Sequence, residues 1–340
     1  MRRSRPTPTV DELLARRTDD GTGVVVAVRT PEGTAYHARG ELPDGAASIL
    51  EIGSVTKTMT ALLLAELARD GLVGLDDPVA DHLPVAPPVV GRPITLLDLA
   101  THHSGLPRLP HGSLWPAITS ERHDPYARYD EATLSAAVLA TRPKVEPGRR
   151  FGYSNLGGGL LGWALARAAG TDYATLLADR VTGPLGLADT GVELPAEQAH
   201  RLAPGHGWRG RPAGRWDLAL LAGAGGVVST AADLQRYVAA FDTAYDGPLA
   251  AAAADACTPR HPAGRVGPAK VALGWLVGPA GMLFHDGGTG GYRSFAGSRP
   301  DLGVSVVVLS ARARGLTGFG ILLLRAAVAA AGGAAARPEL

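Results

Sequence analysis

Strand-forming patterns at both ends of the chain, with helical patterns between them, limit the folds that this sequence can adopt. Near the start, residues 23–29 and 34–38 flank a turn at residues 31–33 and predict a hairpin. Near the end, glycine and proline separate four short apolar runs, at residues 271–277, 282–285, 292–298 and 304–310. Residues 54–241 are mostly helical in their periodicity. We therefore expect an α/β (α+β) fold, in which one antiparallel sheet from both chain ends is flanked by helices and carries an inserted helical domain.

The length of 340 residues and the hydrophobic content of 46% are sufficient for one large core. We expect a single catalytic unit over residues 1–340, with a sheet subdomain at about residues 10–53 and 245–340 and a helical subdomain at about residues 54–244. The net charge is +1 and like charges form no block, so neither nucleic acid nor a membrane is a favoured partner. The basic residues 1–5 are not followed by the apolar stretch of a secretory signal, which favours a cytoplasmic location.

The helix predicted after Ser54 places a lysine in an unusual position. Residues 58–68 are apolar nearly all round, and Gly71 is a suitable C-terminal stop, so the helix should be buried. Lys57 at its head must then be paired or deprotonated. Ser54 and Lys57 are three residues apart, which places a hydroxyl and an amine on one helical face. The alternative is that Ser54 is an N-cap and Lys57 a solvated surface residue.

Two other segments carry candidate functional groups. In the first, Tyr153 could act as a general base and acid if a nearby lysine lowered its pKa, and Asn155 could hold that lysine and a substrate amide. The alternative is a loop before a helix, with Ser154 or Asn155 as its N-cap. The second is the glycine-rich run at residues 285–291, which could be an ordinary turn or could offer a backbone N–H to an oxyanion.

The order and spacing of these three elements resemble the serine β-lactamase and penicillin-binding-protein superfamily, whose motifs are S-x-x-K, then Y-x-N or S-x-N, then K-T-G or H-x-G. The similarity is greatest to the class C β-lactamase-like branch, with its esterase, D-aminopeptidase and transacylase relatives. It extends over roughly residues 10–330 and includes ITLLDLATHHSGLP, EPGRRFGYSNLGGGLLGWAL, GAGGVVSTAADLQRY and HDGGTGGYRS.

The resemblance implies a role for each matching residue. Ser54 would be the acylated nucleophile and Lys57 its proton partner, while Tyr153 would serve as general base and leaving-group acid. Asn155 would bind the substrate amide. His285 and Gly287 match the third motif, and the backbone N–H groups of Ser54 and Gly288 would form the oxyanion hole. We also expect Tyr292, just after this motif, to line the acyl pocket. The resemblance implies no metal and no cofactor.

Several other residues leave alternatives open. A zinc site is conceivable at His102, His103, His111 and His123, but no H-E-x-x-H motif is present, and ordinary loop histidines are favoured. The three tryptophans Trp115, Trp208 and Trp216 could line the pocket or pack in the core. Asp286 replaces a residue that helps to hold a carboxylate in many members of the superfamily. If it faces the pocket, it repels an anionic substrate, and we therefore expect neutral esters or amides to be preferred and penicillins and cephalosporins to be poor substrates. The alternative is that Asp286 turns away and a cationic His285 binds a carboxylate.

The expected activity is hydrolysis of a small ester, amide or peptide through an acyl-enzyme. The main alternative is an intracellular acyltransferase, transacylase or peptide cyclase that uses the same intermediate. A D,D-peptidase or β-lactamase is less favoured, because the chain shows no secretion signal. The hypothesis from another class is a binding domain that kept the fold without catalysis. The sequence leaves the acyl donor, the acceptor and the oligomeric state open.

Overall fold

The computed structural model of the chain describes residues 10–15, 20–110, 126–264 and 268–335. An eight-stranded antiparallel sheet has the strand order β2-β1-β10-β9-β8-β7-β6-β5, and β3 and β4 form a separate pair. The strands are β1 Val24–Thr30, β2 Gly33–Arg39, β3 Leu50–Glu51, β4 Val228–Ser229, β5 His261–Pro262, β6 Lys270–Val271, β7 Leu276–Val277, β8 Leu283–Gly288, β9 Arg293–Arg299 and β10 Val304–Ser310. The predicted fold class, with a sheet built from both chain ends, is confirmed.

Both faces of the large sheet are covered, which explains why β1 and β10 are largely apolar on both faces. On β1, Val24 and Val26 face one cluster, whereas Val25 and Ala27 face the other. The first cluster contains Leu14 and Leu324 from the two terminal helices. The second cluster is the larger one and merges with the core of the helical part. The sheet is therefore the central layer between terminal helices and the helical insertion.

The helices are α1 Val10–Ala15, α2 Thr56–Arg69, α3 Leu96–Ala100, α4 Glu131–Leu139, α5 Asn155–Ala168, α6 Tyr173–Leu177, α7 Ala231–Ala239, α8 Ala250–Cys257 and α9 Thr317–Ala335. Helix α2 is buried along nearly its whole length, as the apolar pattern predicted, and Gly71 follows it with φ of 73°. Helix α7 packs against β1, β9 and β10, and α8 packs against α2. Among the described residues, no helix has both the length and the apolar character that crossing a membrane requires.

One predicted strand is divided in two. Residues 271–277 form the ends of β6 and β7, joined by a tight turn in which the Ala272 N–H donates to the Trp275 carbonyl at 2.9 Å. Gly274 lies in this turn with φ of 70°, and a Cβ atom there would be 2.8 Å from the Lys57 carbonyl oxygen. The chain turns here because only glycine fits both the left-handed conformation and the close approach to α2. The division into a sheet and a helical subdomain remains a proposal.

Candidate active site

Ser54 lies in a short 3-10 turn, Gly53–Val55, that leads into α2 and contacts the end of β8. Two glycines permit this contact. A Cβ atom on Gly53 would lie 2.5 Å from the amide nitrogen of Gly288, and one on Gly287 would lie 3.0 Å from the amide nitrogen of Ser54. Because any side chain at these positions would separate the two backbones, the glycines bring the amides of Ser54 and Gly288 to one place, beside the Ser54 hydroxyl.

The Lys57 side chain is buried and has three hydrogen-bond partners. Its Nζ lies 3.1 Å from Ser54 Oγ, 2.9 Å from Asn155 Oδ1 and 2.6 Å from the backbone oxygen of Ala224. An amide oxygen and a carbonyl oxygen can only accept hydrogen bonds, whereas a hydroxyl can also donate. When Lys57 is neutral, its two N–H groups can therefore bond Asn155 and Ala224, which leaves its lone pair directed at the Ser54 hydroxyl.

The pKa of Lys57 is lowered to about 7, chiefly because burial disfavours the ammonium and secondarily because the positive charge of Arg108 is nearby. The sequence prediction that Lys57 is a buried lysine next to Ser54 agrees with this geometry. A substantial fraction of Lys57 is consequently neutral at physiological pH, and a neutral amine can accept a proton.

Tyr153 lies above Lys57, with its ring centroid 5.1 Å from Nζ and its hydroxyl hydrogen-bonded to Ser54. The condition under which Tyr153 would act as a base, a phenol pKa lowered by the nearby lysine, is not met. Burial raises the pKa of Tyr153 to about 12, and the hydrogen bond with Ser54 only partly opposes the increase. The phenol therefore keeps its proton at neutral pH, which suits a proton donor better than a base.

Asn155 begins α5, whose N-cap is Ser154, with its Oγ accepting from the Gly157 N–H at 2.9 Å. The glycines of this helix allow neighbouring segments to pack closely against it. A Cβ atom on Gly158 would lie 2.9 Å from Lys57 Cε, and one on Gly162 would lie 2.9 Å from the Cα atom of Gly223. Helix α5 thus approaches α2 closely enough for Asn155 to reach the lysine.

His285 lies on β8 and is buried, and its Nδ1 donates to the Asp286 carbonyl oxygen at 2.7 Å. Burial lowers the pKa of His285 to about 4, although the negative charge of Asp286 opposes this, so the imidazole is neutral at pH 7. The Asp286 carboxylate is exposed, lines the cavity in front of Ser54 and accepts from Thr317 Oγ1 at 2.9 Å. At pH 7 His285 therefore offers no positive charge to a substrate carboxylate.

A cavity of about 810 Å³ opens in front of Ser54. It is lined by Tyr153, Asn155, His285, Gly287 and Gly288, so these predicted site residues meet at one place. Other residues also line it, among them Arg108, Tyr126 and Arg293, which were not assigned from the sequence, and Trp216, whose role was left open. Arg108 directly follows the family-like segment ITLLDLATHHSGLP, and this position was the one sequence feature that could have indicated a role in the site.

Tyr292 does not belong to this group, and its assignment to the acyl pocket is wrong. Its side chain is buried with 2% exposure, and its hydroxyl donates to the Ala203 carbonyl at 2.7 Å. Its ring packs against Gly205, where a Cβ atom would lie 2.6 Å from the ring carbon Cε2. Among the described residues that line the cavity, Trp216 supplies the indole and Tyr126 a phenol.

The histidines are distributed over different surroundings. His102 packs against Tyr153 and His103 against His261, with ring centroids 4.4 Å and 4.6 Å apart. His111 and His123, like Trp115, lie outside the described residues. Within the described ranges, no group of three or more His, Cys, Asp or Glu side chains is arranged to hold a metal ion. Trp208 is 70% exposed and does not line the cavity.

Comparison with known proteins agrees with this geometry. The sequence pattern that defines the beta-lactamase family matches residues 10–331, nearly the whole chain. The chain belongs to the beta-lactamase family. Members of this family are serine hydrolases that act through an acyl-enzyme.

Several proteins of the beta-lactamase family are similar to this chain. The D-alanyl-D-alanine-carboxypeptidase/endopeptidase AmpH of Escherichia coli (strain K12) is 38% identical over 201 residues, which cover 56% of this chain and 48% of that protein. The match thus spans about half the length of AmpH. Penicillin-binding protein 4 of Amycolatopsis lactamdurans is 31% identical over 285 residues, which cover 77% of this chain and 72% of that protein. A beta-lactamase/D-alanine carboxypeptidase structure from Yersinia pestis is 26% identical, with a TM-score of 0.74 over 93% of this chain and 99% of that one.

Proposed function

We propose that this protein is a serine hydrolase that cleaves a small ester or amide through an acyl-enzyme on Ser54. The observation that carries the proposal is the hydrogen bonding of Lys57. Two of its three partners, Asn155 Oδ1 and the Ala224 carbonyl, are obligate acceptors, and the third is the Ser54 hydroxyl. With a pKa of about 7, Lys57 can be neutral and accept the serine proton.

The proposed reaction has two steps. In acylation, the Ser54 Oγ–H proton passes to Lys57 while Oγ bonds to the substrate carbonyl carbon. The bond from that carbon to the leaving group then breaks, and the leaving group takes the proton of the Tyr153 phenol. The Lys57 ammonium returns a proton to Tyr153. In deacylation, water attacks the ester carbonyl carbon while one water proton passes to neutral Lys57. The bond from that carbon to Ser54 Oγ then breaks, Oγ takes the proton back from Lys57, and the acid leaves.

The amides of Ser54 and Gly288 lie together beside the nucleophile, and we assign them the role of oxyanion hole. Two backbone N–H groups held by a rigid turn and a strand end are suited to stabilise the developing negative charge. The Nδ1–H of the neutral His285 donates to the Asp286 carbonyl, so its Nε2 is unprotonated. His285 would therefore contribute either this Nε2 or its ring packing to the cavity wall. Asn155 would also contact the substrate amide.

The acyl acceptor decides between a hydrolase and an acyltransferase. The cavity of about 810 Å³ is open and has room for an acceptor beside an acyl group. The similarity to AmpH, a D-alanyl-D-alanine-carboxypeptidase/endopeptidase, supports D-alanyl peptides as a further donor class. D-alanyl peptides and simple esters are therefore the two donor classes to be compared as substrates.

The test is a donor panel of p-nitrophenyl esters, D-alanyl-D-alanine peptides and a cephalosporin, each offered with and without an added amine or alcohol. The proposal predicts acid as the main product at every acceptor concentration. A transfer product that grows with acceptor concentration at the expense of acid would establish the acyltransferase instead. Absence of turnover and of acylation with every donor would favour a binding domain without catalysis.

A further inference from the structure

We infer that His102 is a positioning residue, which holds Tyr153 in its proton-transfer geometry without touching the substrate. The inference rests on the proposed acyl-enzyme chemistry. His102 lies in the loop after α3, whereas Tyr153 and Asn155 lie before and at the start of α5. Within the described part of the chain, His102 does not line the cavity in front of Ser54.

His102 contacts the segment around Tyr153 through three different groups. Its backbone oxygen accepts from the Gly152 N–H at 2.8 Å. Its ring nitrogen Nδ1 accepts from the Ser154 N–H at 3.3 Å. Its ring packs against the Tyr153 ring, with centroids 4.4 Å apart and planes inclined by 40°. His102 therefore holds the Tyr153 ring with its own ring, and it holds the residues on both sides of Tyr153 with its backbone oxygen and its Nδ1.

These contacts fix the chemical state of the imidazole. A backbone N–H can only donate, so Nδ1 must be the unprotonated nitrogen and Nε2 carries the hydrogen of a neutral ring. The residue is buried with 4% exposure. Burial lowers its pKa well below the ordinary value, and repulsion from protonated Lys57 and from Arg108 acts in the same direction. A second cation next to Lys57 is thereby avoided.

The backbone of His102 has an unusual conformation that these contacts require. Its φ is 59°, in the left-handed region that few residues other than glycine adopt. This conformation allows its carbonyl to reach Gly152 while its ring reaches Ser154. His102 also lines, together with Lys57 and Thr60, a cavity of about 10 Å³ behind the lysine. Among the described residues, its Nε2 has no hydrogen-bond partner.

The test compares His102→Phe with His103→Phe. Phenylalanine keeps an aromatic ring but loses the acceptor for Ser154, and the neighbouring His103 is equally buried but packs on Phe151 and His261 instead of Tyr153. For a positioning role, His102→Phe should lower kcat by about 10-fold to 100-fold with KM changed by less than about threefold. His103→Phe should keep kcat within about threefold. An unchanged kcat in His102→Phe, in protein with native near-UV circular dichroism, would overturn the inference.

A double-mutant cycle with Tyr153→Phe separates positioning from a general structural effect. If His102 acts through Tyr153, His102→Phe should cost much less in the Tyr153→Phe background than in the wild type. Equal costs in both backgrounds would contradict the inference. Should His102→Phe fail to fold, His102→Asn tolerates the positive φ and can be placed in the same cycle, with a smaller expected loss of about threefold to tenfold and the same criterion.

The rate of Ser54 acylation by a p-nitrophenyl ester distinguishes failure of this inference from failure of the proposed function. If wild-type protein is acylated on Ser54 and His102→Phe is acylated equally fast, only the positioning role is wrong. If wild-type protein is not acylated at all, the proposed chemistry itself is wrong.

Discussion

The side-chain nitrogen of Lys57 lies 2.9 Å from the side-chain oxygen of Asn155, although the two residues are 98 positions apart in the sequence. The contact joins the start of α2 to the start of α5. Because Asn155 Oδ1 can only accept, it occupies one N–H of Lys57 in either protonation state. This leaves the lysine free to exchange a proton with Ser54.

The first prediction concerns pH. If neutral Lys57 accepts the serine proton, kcat/KM should fall on the acidic side with an apparent pKa near 7, because the ammonium cannot accept. Tyr153→Phe should lower turnover by on the order of 100-fold and keep the same acidic limb. The measurement is kcat/KM from pH 5.5 to 9 with a substrate that does not ionise in that range. If the acidic fall in kcat/KM disappeared in Tyr153→Phe, the titrating group would be the tyrosine and not Lys57.

The second prediction is that burial of Lys57 makes stability depend on pH. Its folded pKa of about 7 lies below the ordinary lysine value of about 10.4, so the unfolded chain binds more protons between these limits. The free energy of unfolding should therefore rise with pH from 7 to 10 through this group. Lys57→Met removes that contribution, so its stability relative to wild type should be greatest near pH 6 and should decline by pH 9.5. Urea unfolding at the two pH values measures this, and the exposed Lys144→Met should show no such trend.

The third prediction concerns Gly158, where an added Cβ would lie 2.9 Å from Lys57 Cε. Gly158→Ala should displace the lysine and lower kcat by about tenfold or more, since small displacements of catalytic groups are costly. Gly157→Ala on the same helix meets its nearest neighbour only at 3.4 Å and is the matched control. Both changes gain about 1 kcal/mol of intrinsic helix propensity, so stability alone cannot reproduce the difference in activity. Equal kcat values in the two variants would show that Lys57 tolerates the displacement.

The fourth prediction reverses the expected substrate charge. Asp286 is hydrogen-bonded to Thr317, and Arg108 and Arg293 line the cavity, with Arg293 also donating to the Thr289 and Tyr292 carbonyls. Among the described residues, neither arginine has a carboxylate within salt-bridge distance. An acyl donor with a free carboxylate should therefore have a higher kcat/KM than its methyl ester, by about fivefold, and Arg108→Gln should reduce this ratio. Arg142→Gln is the control, because Arg142 is exposed and does not line the cavity.

Because guanidinium stays charged, the preference for the acid should be constant from pH 6 to pH 8.5. A preference that increases as the pH falls through this range would indicate a protonated His285 instead. That result would also contradict the lowering of the His285 pKa by burial.

The parts of the site that were predicted correctly from the sequence are the local ones. Ser54 and Lys57 are three residues apart on one helical face, and the apolar helix after them indicated burial. The acceptor at Ala224 lies 167 positions from Lys57, and no local pattern could indicate it. The raised pKa of Tyr153 depends on burial by residues distant in sequence. Tyr292 was misplaced because nearness in sequence to the third motif does not determine which side of the sheet edge a side chain occupies.

Acylation of Ser54 is the central claim, and intact-protein mass spectrometry after mixing with a p-nitrophenyl ester tests it most directly. We predict that wild-type protein gains the mass of one acyl group and that peptide mapping places it on Ser54. Ser54→Ala should gain no mass and show no turnover, while Ser104→Ala, which removes another buried serine hydroxyl, should still be acylated. Turnover with the acyl group on a different residue, or equal acylation of Ser54→Ala, would contradict the account.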